Sequence, residues 1–300
     1  MFSIVIPVYN KEEYISRTLN SILNQTFLNF EIIIVDDGST DNSIKIVKNF
    51  DDNRIKVVSQ ENKGVSSARN LGVEHSKNDY IAFIDADDIW KPEFLENINN
   101  MILSFPTAGA YYTDYKVGKE KVEAKKVKQN IECKSFLIDD YFQFALHHKA
   151  MCASCVVIEK NIFIDLGGFC TEYKRGEDLY LWTQIALRYQ IAYTNYAGAF
   201  YYRDIPNSLS RVKFNVEDSF SNIAEEFYEK NKVIAINQHS FREYMIPIIS
   251  SKGKYLLEMN RKKEARIFLK KYLDTAYNKK KVYVLYLLSY LPKFILKNII

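Results

Sequence analysis

Four short apolar runs near the start of the chain place the strongest constraint on its fold. They occupy residues 2–7, 31–35, 54–59 and 80–84, and segments with helical spacing separate them at intervals of about 25 residues. Such alternation predicts an α/β protein with a mostly parallel sheet between helices. The carboxyl ends of parallel strands share one edge of the sheet, and ligands bind at that edge in open α/β sheets. The pattern therefore predicts that a binding site lies there.

The fourth run leads directly into an acidic stretch. Asp85, Asp87 and Asp88 follow the predicted strand within four residues. Three such carboxylates repel one another unless a cation or solvent neutralises them. Mg²⁺ and Mn²⁺ prefer oxygen ligands and often combine one or two carboxylates with substrate phosphates. A plain acidic loop with Asp88 near a helix start is the alternative, and this segment alone leaves both open.

Two earlier strands also end in residues suited to a site. Pro7 and Tyr9 end the first strand, and Asp37 follows the second. Parallel topology would bring them beside Asp85 and Asp87, although they are far apart in sequence. No Gly-x-Gly-x-x-Gly pattern follows the first strand, which disfavours a dinucleotide-binding fold. The gathering of acids predicts a binding site at this edge.

The second half of the chain continues the mixed pattern. We predict strands at residues 110–115 and 151–158, with a charge-rich, solvent-exposed segment at 116–129 between them. Glu177 and Asp178 begin a helix further on, where acidic residues also complement the helix dipole. These two carboxylates therefore have both a structural and a functional interpretation.

Cys152 and Cys155 form a Cys-x-x-Cys pair within the predicted strand at residues 151–158. No second pair and no histidine pair at metal-ligand spacing follows them, which disfavours a zinc site. The interpretation that the sequence favours is two ordinary thiols on a buried strand.

Positive charge is concentrated at the end of the chain. The net charge is +4, but residues 252–300 hold 13 Lys or Arg against 3 Asp or Glu, so the remainder is negative. From residue 215 the pattern is helical, and an apolar, tyrosine-rich segment at 282–292 follows three lysines. It predicts a tail that lies in an anionic membrane leaflet, although packing on the body or against another subunit would fit the same pattern. No apolar run reaches the ~18 residues that span a bilayer.

Six short motifs resemble those of the inverting glycosyltransferases of family 2, which have the GT-A (nucleotide-diphospho-sugar transferase) fold. They occur in the family's order and spacing over about the first 200 residues: Ile4–Asn10, Val35–Asp41, Gly64–Gly72, Asp85–Asp88, Gly167–Phe169 and Gly176–Asp178. The resemblance implies a catalytic domain at residues 1–214, divided at 105/106 into nucleotide-binding and acceptor halves. Residues 215–300 would form a helical C-terminal region with a basic amphipathic tail.

The resemblance also implies roles for residues that bind the sugar donor. Pro7 and Tyr9 would lie against the donor's base, and Asp37 would accept a hydrogen bond from the uracil N–H. Arg69 would lie near the diphosphate or help to close the site. Asp85, the first acid of the family's Asp-x-Asp pair, would face the ribose or a metal ion.

For the metal and the chemistry, the resemblance implies a second set of residues. Asp87 would bind the Mn²⁺ or Mg²⁺ that bridges both phosphates, and Ala86 would lie between the two acids in the donor site. Family members often have a metal-binding histidine after the last sheet strand. Here Asp204 is the candidate in that region. Asp178 resembles the catalytic base, with Glu177 beside it.

These expectations define an enzyme that moves a hexose or N-acetylhexosamine from a UDP-sugar to a glycan acceptor of the lipid-linked, lipooligosaccharide or capsule type. Single displacement would invert the anomeric centre. We expect a bacterial protein in the cytoplasm, peripheral on the inner membrane, with no nucleic-acid partner. The alternatives are a non-catalytic nucleotide-sugar-binding module and a haloacid-dehalogenase-type phosphatase. The phosphatase is disfavoured because Ile89 replaces the expected Thr or Ser, and because the acids follow the fourth strand.

Overall fold

The computed structural model describes residues 1–118, 133–202 and 215–292. The chain divides into two compact units. The first consists of Met1–Asp139, Lys149–Thr171 and Tyr180–Lys213, and the second of Asp140–His148, Glu172–Leu179 and Phe214–Ile300. The domain boundary expected between residues 214 and 215 adjoins a stretch outside the described residues and stays a prediction.

Within the described residues, the first unit contains one mixed sheet of nine strands. They are β1 (Phe2–Val8), β2 (Phe30–Asp36), β3 (Ile55–Ser59), β4 (Tyr80–Phe83), β5 (Ile89–Trp90), β6 (Ala108–Gly118), β7 (Ser135–Ile138), β8 (Val156–Glu159) and β9 (Gln190–Tyr202). Their order is β3-β2-β1-β4-β8-β6-β9-β5, and β7 also pairs with β9. Strands β1 to β4, β6 and β9 run one way, and the others run opposite. The mostly parallel sheet is therefore confirmed.

Helices follow the strands as the sequence pattern predicts. They are α1 (Ile15–Leu23), α2 (Ser43–Lys48), α3 (Val65–Glu74), α4 (Phe94–Ser104), α5 (Tyr141–Ala145), α6 (Lys160–Asp165), α7 (Glu177–Arg188), α8 (Phe220–Asn231), α9 (Gln238–Glu258), α10 (Lys262–Lys270) and α11 (Lys279–Leu288). Helix α5, the first turn of α7 and helices α8 to α11 belong to the second unit.

Helix α3 packs closely on the parallel strands because it carries a glycine where it meets them. A Cβ added at Gly72 would collide with the Val5 side chain of β1 and lie 3.2 Å from Val35 Cγ2 of β2. One turn earlier, Ala68 packs on Ile33 and Val35 in a fully buried cluster. The small residues of the Gly64–Gly72 motif thus bring α3 against the two strands that lead to the site.

Pro7 lies inside the central strand β1, where proline is uncommon because it cannot donate to a neighbouring strand. Residues two apart in a parallel ladder face the same neighbour, and the Val5 carbonyl accepts from Ile84 N–H on the β4 side. Strand β4 ends at Phe83, which is level with Val5, so Pro7 lies beyond its last residue. Pro7 therefore lies where the pairing between β1 and β4 ends, and its missing N–H interrupts no pair within that ladder.

The predicted strand at residues 151–158 is wrong in its first half. Ala153–Cys155 form a short 3-10 helix, and strand β8 begins only at Val156. The turn closes because Cys155 N–H donates to the Cys152 carbonyl at 3.1 Å, and the two Sγ atoms lie 3.3 Å apart. Apolar content could not distinguish this turn from a strand. Of the predicted exposed segment, residues 116–118 continue β6, and residues 119–129 lie outside the described residues.

The second unit is helical, as predicted, and a buried glutamate organises its end. Glu243 of α9 is fully buried and accepts hydrogen bonds from Thr275 Oγ1 at 2.5 Å and from the backbone N–H groups of Ala276 and Tyr277. These bonds fix the connection that leads into α11. Among the described residues, no helix is long and apolar enough to cross a membrane.

The tight packing at Gly72 predicts that Gly72→Ala destabilises the first unit by about 2 kcal/mol, because the added methyl group overlaps Val5. Gly118→Ala is the matched control, since its nearest neighbour would lie at an ordinary 3.6 Å. Urea unfolding followed by tryptophan fluorescence measures both variants. Equal stability of the two would contradict this account of the packing.

Candidate active site

The acidic loop, residues 85–88, lies at the carboxyl end of β4 and is anchored from helix α1. The Thr18 hydroxyl lies 2.9 Å from the Ala86 carbonyl oxygen and 2.7 Å from that of Asp88. Arg17 Nη2 donates to the Asp87 carbonyl oxygen at 2.7 Å. The loop backbone is therefore held at each of its last three residues.

Two cations from different elements neutralise the first two acids of the loop. Lys11 Nζ lies 2.5 Å from Asp87 Oδ2, and Arg69 Nη2 of α3 lies 2.7 Å from Asp85 Oδ1. Burial raises the pKa of Asp87, the Lys11 ammonium partly offsets this, and the nearby Asp85 charge adds to the rise. The Asp85 side chain is 31% exposed and that of Asp87 12%, so Asp85 is partly open to solvent and Asp87 is mostly buried.

Asp88 has a different environment from its neighbours. Its side chain is completely buried, and it accepts hydrogen bonds from Ser154 Oγ at 2.5 Å and from Tyr202 N–H at 2.9 Å. Burial, followed by the charges of Asp87 and Asp85, raises the pKa of Asp88 well above its usual range. Asp88 thus joins the acidic loop to the end of β9 and is closed to a ligand.

Asp37, one residue beyond β2, holds the loop that precedes α3. Its Oδ1 accepts from Gln60 Nε2 at 2.7 Å and from Lys63 N–H at 2.8 Å, and its Oδ2 accepts from Gly64 N–H at 2.9 Å. Gly64 has a φ of +89°, a left-handed conformation that favours glycine. Because the Asp37 N–H donates to the Val8 carbonyl, this carboxylate is fixed beside the end of β1.

Tyr9 and Pro7 differ sharply in exposure. The Tyr9 side chain is 47% exposed just past β1, whereas Pro7 is buried within the strand. Ala86 is 1% exposed in the middle of the acidic loop. Of these three residues, Tyr9 is the one whose side chain presents a large surface to a ligand at the sheet edge.

Helix α3 also fixes the Gly167–Phe169 motif. Asn70 donates to the Phe169 carbonyl at 2.8 Å and accepts from its N–H at 2.9 Å. The guanidinium carbon of Arg69, the residue before Asn70, lies 5.0 Å from the centre of the Phe169 ring, within range of a cation–π interaction. One turn of α3 therefore contacts both the acidic loop and the Gly168–Phe169 segment.

Glu177 and Asp178 belong to the second unit, where they form the first turn of α7. Gly176 before them has a φ of +78°, and Asp178 Oδ1 accepts a hydrogen bond from Leu179 N–H at 2.7 Å. Asp204 lies outside the described residues. Within the described part of the chain, no three His, Cys, Asp or Glu side chains are grouped so as to hold a metal ion.

The structure thus brings Arg69, Asp85, Ala86 and Asp87 into one cluster at the edge that also carries Asp37. Sequence reasoning missed Lys11, although it lies only two residues beyond Tyr9. It also missed Ser154, for which the sequence offers no signal, because its contact with the acidic loop joins residues far apart in the chain.

The fold and the arrangement of acids define a class of protein that comparison with known sequences identifies. Residues 3–167, more than half of the chain, match glycosyl transferase family 2. The chain therefore belongs to the family 2 glycosyltransferases, and its fold is GT-A.

Curated relatives agree with this assignment. The Escherichia coli protein WfgD, named UDP-Glc:alpha-D-GlcNAc-diphosphoundecaprenol beta-1,3-glucosyltransferase, is 30% identical over 255 residues, which is 80% of this chain and 96% of WfgD. Glycosyltransferase GlyG of Streptococcus pneumoniae is 44% identical over 105 residues, or 34% of this chain and 35% of GlyG. Similarity to GlyA of the same organism covers 17% of that protein, so the chain spans less than half of these two relatives.

Solved structures share the fold over almost the whole chain. TarS 1-349 of S. aureus superimposes with a TM-score of 0.64 at 19% identity, covering 95% of this chain and 78% of that one. Its complex with UDP gives a TM-score of 0.67 at 19% identity, covering 96% and 87%. At this level of identity the similarity establishes the fold alone.

The three bonds to Asp37 predict that Asp37→Asn destabilises the protein by about 2 kcal/mol, because an amide NH₂ would then face a backbone N–H. Asp36→Asn is the control, since Asp36 accepts only from Ser39 N–H through one oxygen, among the hydrogen bonds described. The measurement is urea unfolding at pH 7. If Asp36→Asn cost as much as Asp37→Asn, the described role of Asp37 would be wrong.

Proposed function

We propose that this chain is an inverting glycosyltransferase that moves a hexose or N-acetylhexosamine from a UDP-sugar to a glycan acceptor. The observation that carries the proposal is the pair of carboxylates, Asp85 and Asp87, each held against a side-chain cation at the carboxyl edge of the sheet. A site that contains both carboxylates and the side-chain cations Lys11 and Arg69 is suited to a ligand that combines a metal ion with phosphates.

Asp37 and Tyr9 are the residues that we assign to the donor's base. The three described hydrogen bonds to Asp37 leave part of its acceptor capacity, since a carboxylate offers about four lone-pair positions. One of these can accept the uracil N–H. The exposed Tyr9 ring can stack on the base, while Pro7 shapes the strand beneath it.

A divalent ion fits the donor set of the acidic loop. Asp87 would hold Mn²⁺ or Mg²⁺ with help from Asp85, and Asp204 remains a candidate further ligand. Carboxylates suit a hard cation, and Mg²⁺ in particular is usually bound by one or two carboxylates together with substrate phosphates and water. When bound, the ion would neutralise the negative charge that develops on the departing nucleoside diphosphate.

The chain's own residues supply the remaining steps. Arg69, which contacts Asp85 and Phe169, would orient the diphosphate. Asp178, assisted by Glu177, would take the proton from the acceptor hydroxyl as that oxygen attacks the anomeric carbon. The carbon–oxygen bond to the diphosphate breaks on the opposite face, so an α-linked donor gives a β-linked product.

The relatives support a UDP-sugar donor and a bacterial glycan acceptor. WfgD is named as a UDP-glucose-dependent enzyme acting on a diphosphoundecaprenol-linked sugar. Crystal structures of TarS contain UDP or UDP-GlcNAc. By analogy, we propose a lipid-linked or other envelope glycan as acceptor and a cytoplasmic site of action at the inner membrane.

Helix α11 supports attachment to that membrane. Val282 and Leu285 of α11 are buried, yet a second set of apolar side chains is exposed: Tyr283 (38%), Val284 (53%) and Leu287 (60%) on the helix, and Tyr290 (54%) two residues after its end. Lys279, Lys280 and Lys281 precede these side chains in a segment of strong positive charge. An anionic bilayer complements both features, because it accepts apolar side chains and attracts lysines.

Asp178→Asn should lower turnover of UDP-glucose or UDP-GlcNAc by about 10²–10⁴-fold, because the acceptor hydroxyl loses its base. UDP release in the presence of Mn²⁺ and purified lipid-linked glycans measures the turnover.

Binding of UDP with Mn²⁺ should persist in Asp178→Asn and fail in Asp87→Asn. Wild-type turnover by Asp178→Asn would refute the assigned base, and UDP binding without turnover in the wild type would favour the non-catalytic module. Phosphate release from phosphomonoesters would favour the phosphatase.

Replacing Val284 and Leu287 together by Gln should weaken binding to vesicles containing phosphatidylglycerol by about tenfold or more, because two exposed apolar side chains no longer enter the bilayer. Co-sedimentation measures the bound fraction. Ile236→Gln is the control, as Ile236 is 82% exposed but lies outside α11. Unchanged sedimentation of the double variant would refute membrane attachment through these side chains.

A further inference from the structure

Ser154 lies beneath the acidic loop and contacts both ends of it. Its hydroxyl oxygen accepts a hydrogen bond from Asp85 N–H at 3.1 Å, and its hydroxyl proton is donated to Asp88 Oδ2 at 2.5 Å. The side chain is 2% exposed. One hydroxyl group therefore bridges Asp85 and Asp88, the first and last residues of the loop that contains Asp87, the carboxylate assigned to the metal.

The turn that carries Ser154 is itself held in place. Cys152 and Cys155 close the turn around it, and the Ser154 carbonyl accepts from Trp90 Nε1 at 2.7 Å. Trp90 is 2% exposed and stacks on Phe94 with ring centres 4.1 Å apart. The Ser154 hydroxyl is thus presented from a rigid, buried support.

We propose that Ser154 is a positioning residue that sets the affinity of the acidic loop for its metal ion, and this inference rests on the proposed function. Ser154 does not touch the donor or the ion in this account. It acts through Asp85, whose backbone it fixes, and through Asp88, whose carboxylate it orients between the loop and Tyr202 N–H. Such outer partners of metal ligands tune affinity by fixing ligand geometry.

The directionality of these contacts distinguishes positioning from simple core packing. A buried methyl group would fill most of the same volume but could neither accept from Asp85 N–H nor donate to Asp88. Without those two bonds the loop keeps its contacts with Thr18, Arg17 and Tyr202 N–H, and the Asp85 and Asp87 side chains keep their cations. The Asp85 backbone loses the contact with Ser154, so the spacing of Asp85 and Asp87 is less firmly fixed against their mutual repulsion.

The test is the dissociation constant of Mn²⁺ in the presence of saturating UDP, measured from the electron paramagnetic resonance signal of free Mn²⁺. Ser154→Ala should raise this constant about 10-fold or more. Ser154→Cys, almost the same size with a weak S–H donor, should raise it in the same direction, and it carries the test if the alanine variant does not fold.

Ser3→Ala is the matched control. Ser3 is also fully buried and also donates to a carboxylate, Glu31 Oε1, at 2.7 Å, but it lies at the opposite end of β1. It should lose stability and keep the wild-type Mn²⁺ constant. Ser154 variants that lose stability like Ser3→Ala but bind Mn²⁺ like the wild type would overturn the inference. A wild-type chain that binds no Mn²⁺ with UDP would instead refute the proposed function, and this inference with it.

Discussion

Repulsion between carboxylates at the end of β4 is the constraint on which the rest of the site depends. Asp85, Asp87 and Asp88 are held within four residues at the edge of an apolar sheet, where their charges are poorly screened. Each acid is stabilised in a different way. Asp85 pairs with Arg69, Asp87 pairs with Lys11, and the buried Asp88 accepts hydrogen bonds from Ser154 and Tyr202. The Asp85 and Asp87 carboxylates therefore lie close together because each is paired with a side-chain cation.

Helix α3 connects this acidic loop to the position assigned to the donor's base. The N–H of Gly64, at its start, binds Asp37, and Arg69, further along, binds Asp85. Gly72 lets the helix approach β1 and β2 closely enough for both contacts. A single helix thus spans the two halves of the proposed donor site, which gives one reason why the motif contains small residues and an arginine together.

Much of this arrangement was predictable from the sequence. Apolar runs identify the strands that precede Asp37 and Asp85, and parallel topology puts both acids on one edge of the sheet. The support beneath the loop was not predictable. Ser154 lies in a segment whose apolar content predicts a strand, and its partners Asp85 and Asp88 are more than 60 residues away along the chain. Neither periodicity nor composition indicates such a pairing.

In the second unit, Glu243 fixes the connection that leads into α11. That helix carries exposed apolar side chains next to three lysines. Anomalous diffraction at the manganese edge, from crystals grown with UDP and Mn²⁺, tests whether the acidic loop holds the metal. We expect one manganese peak against the Asp87 carboxylate, next to Asp85 and the diphosphate. Bound UDP with manganese elsewhere, or with no manganese at Asp87, would contradict it.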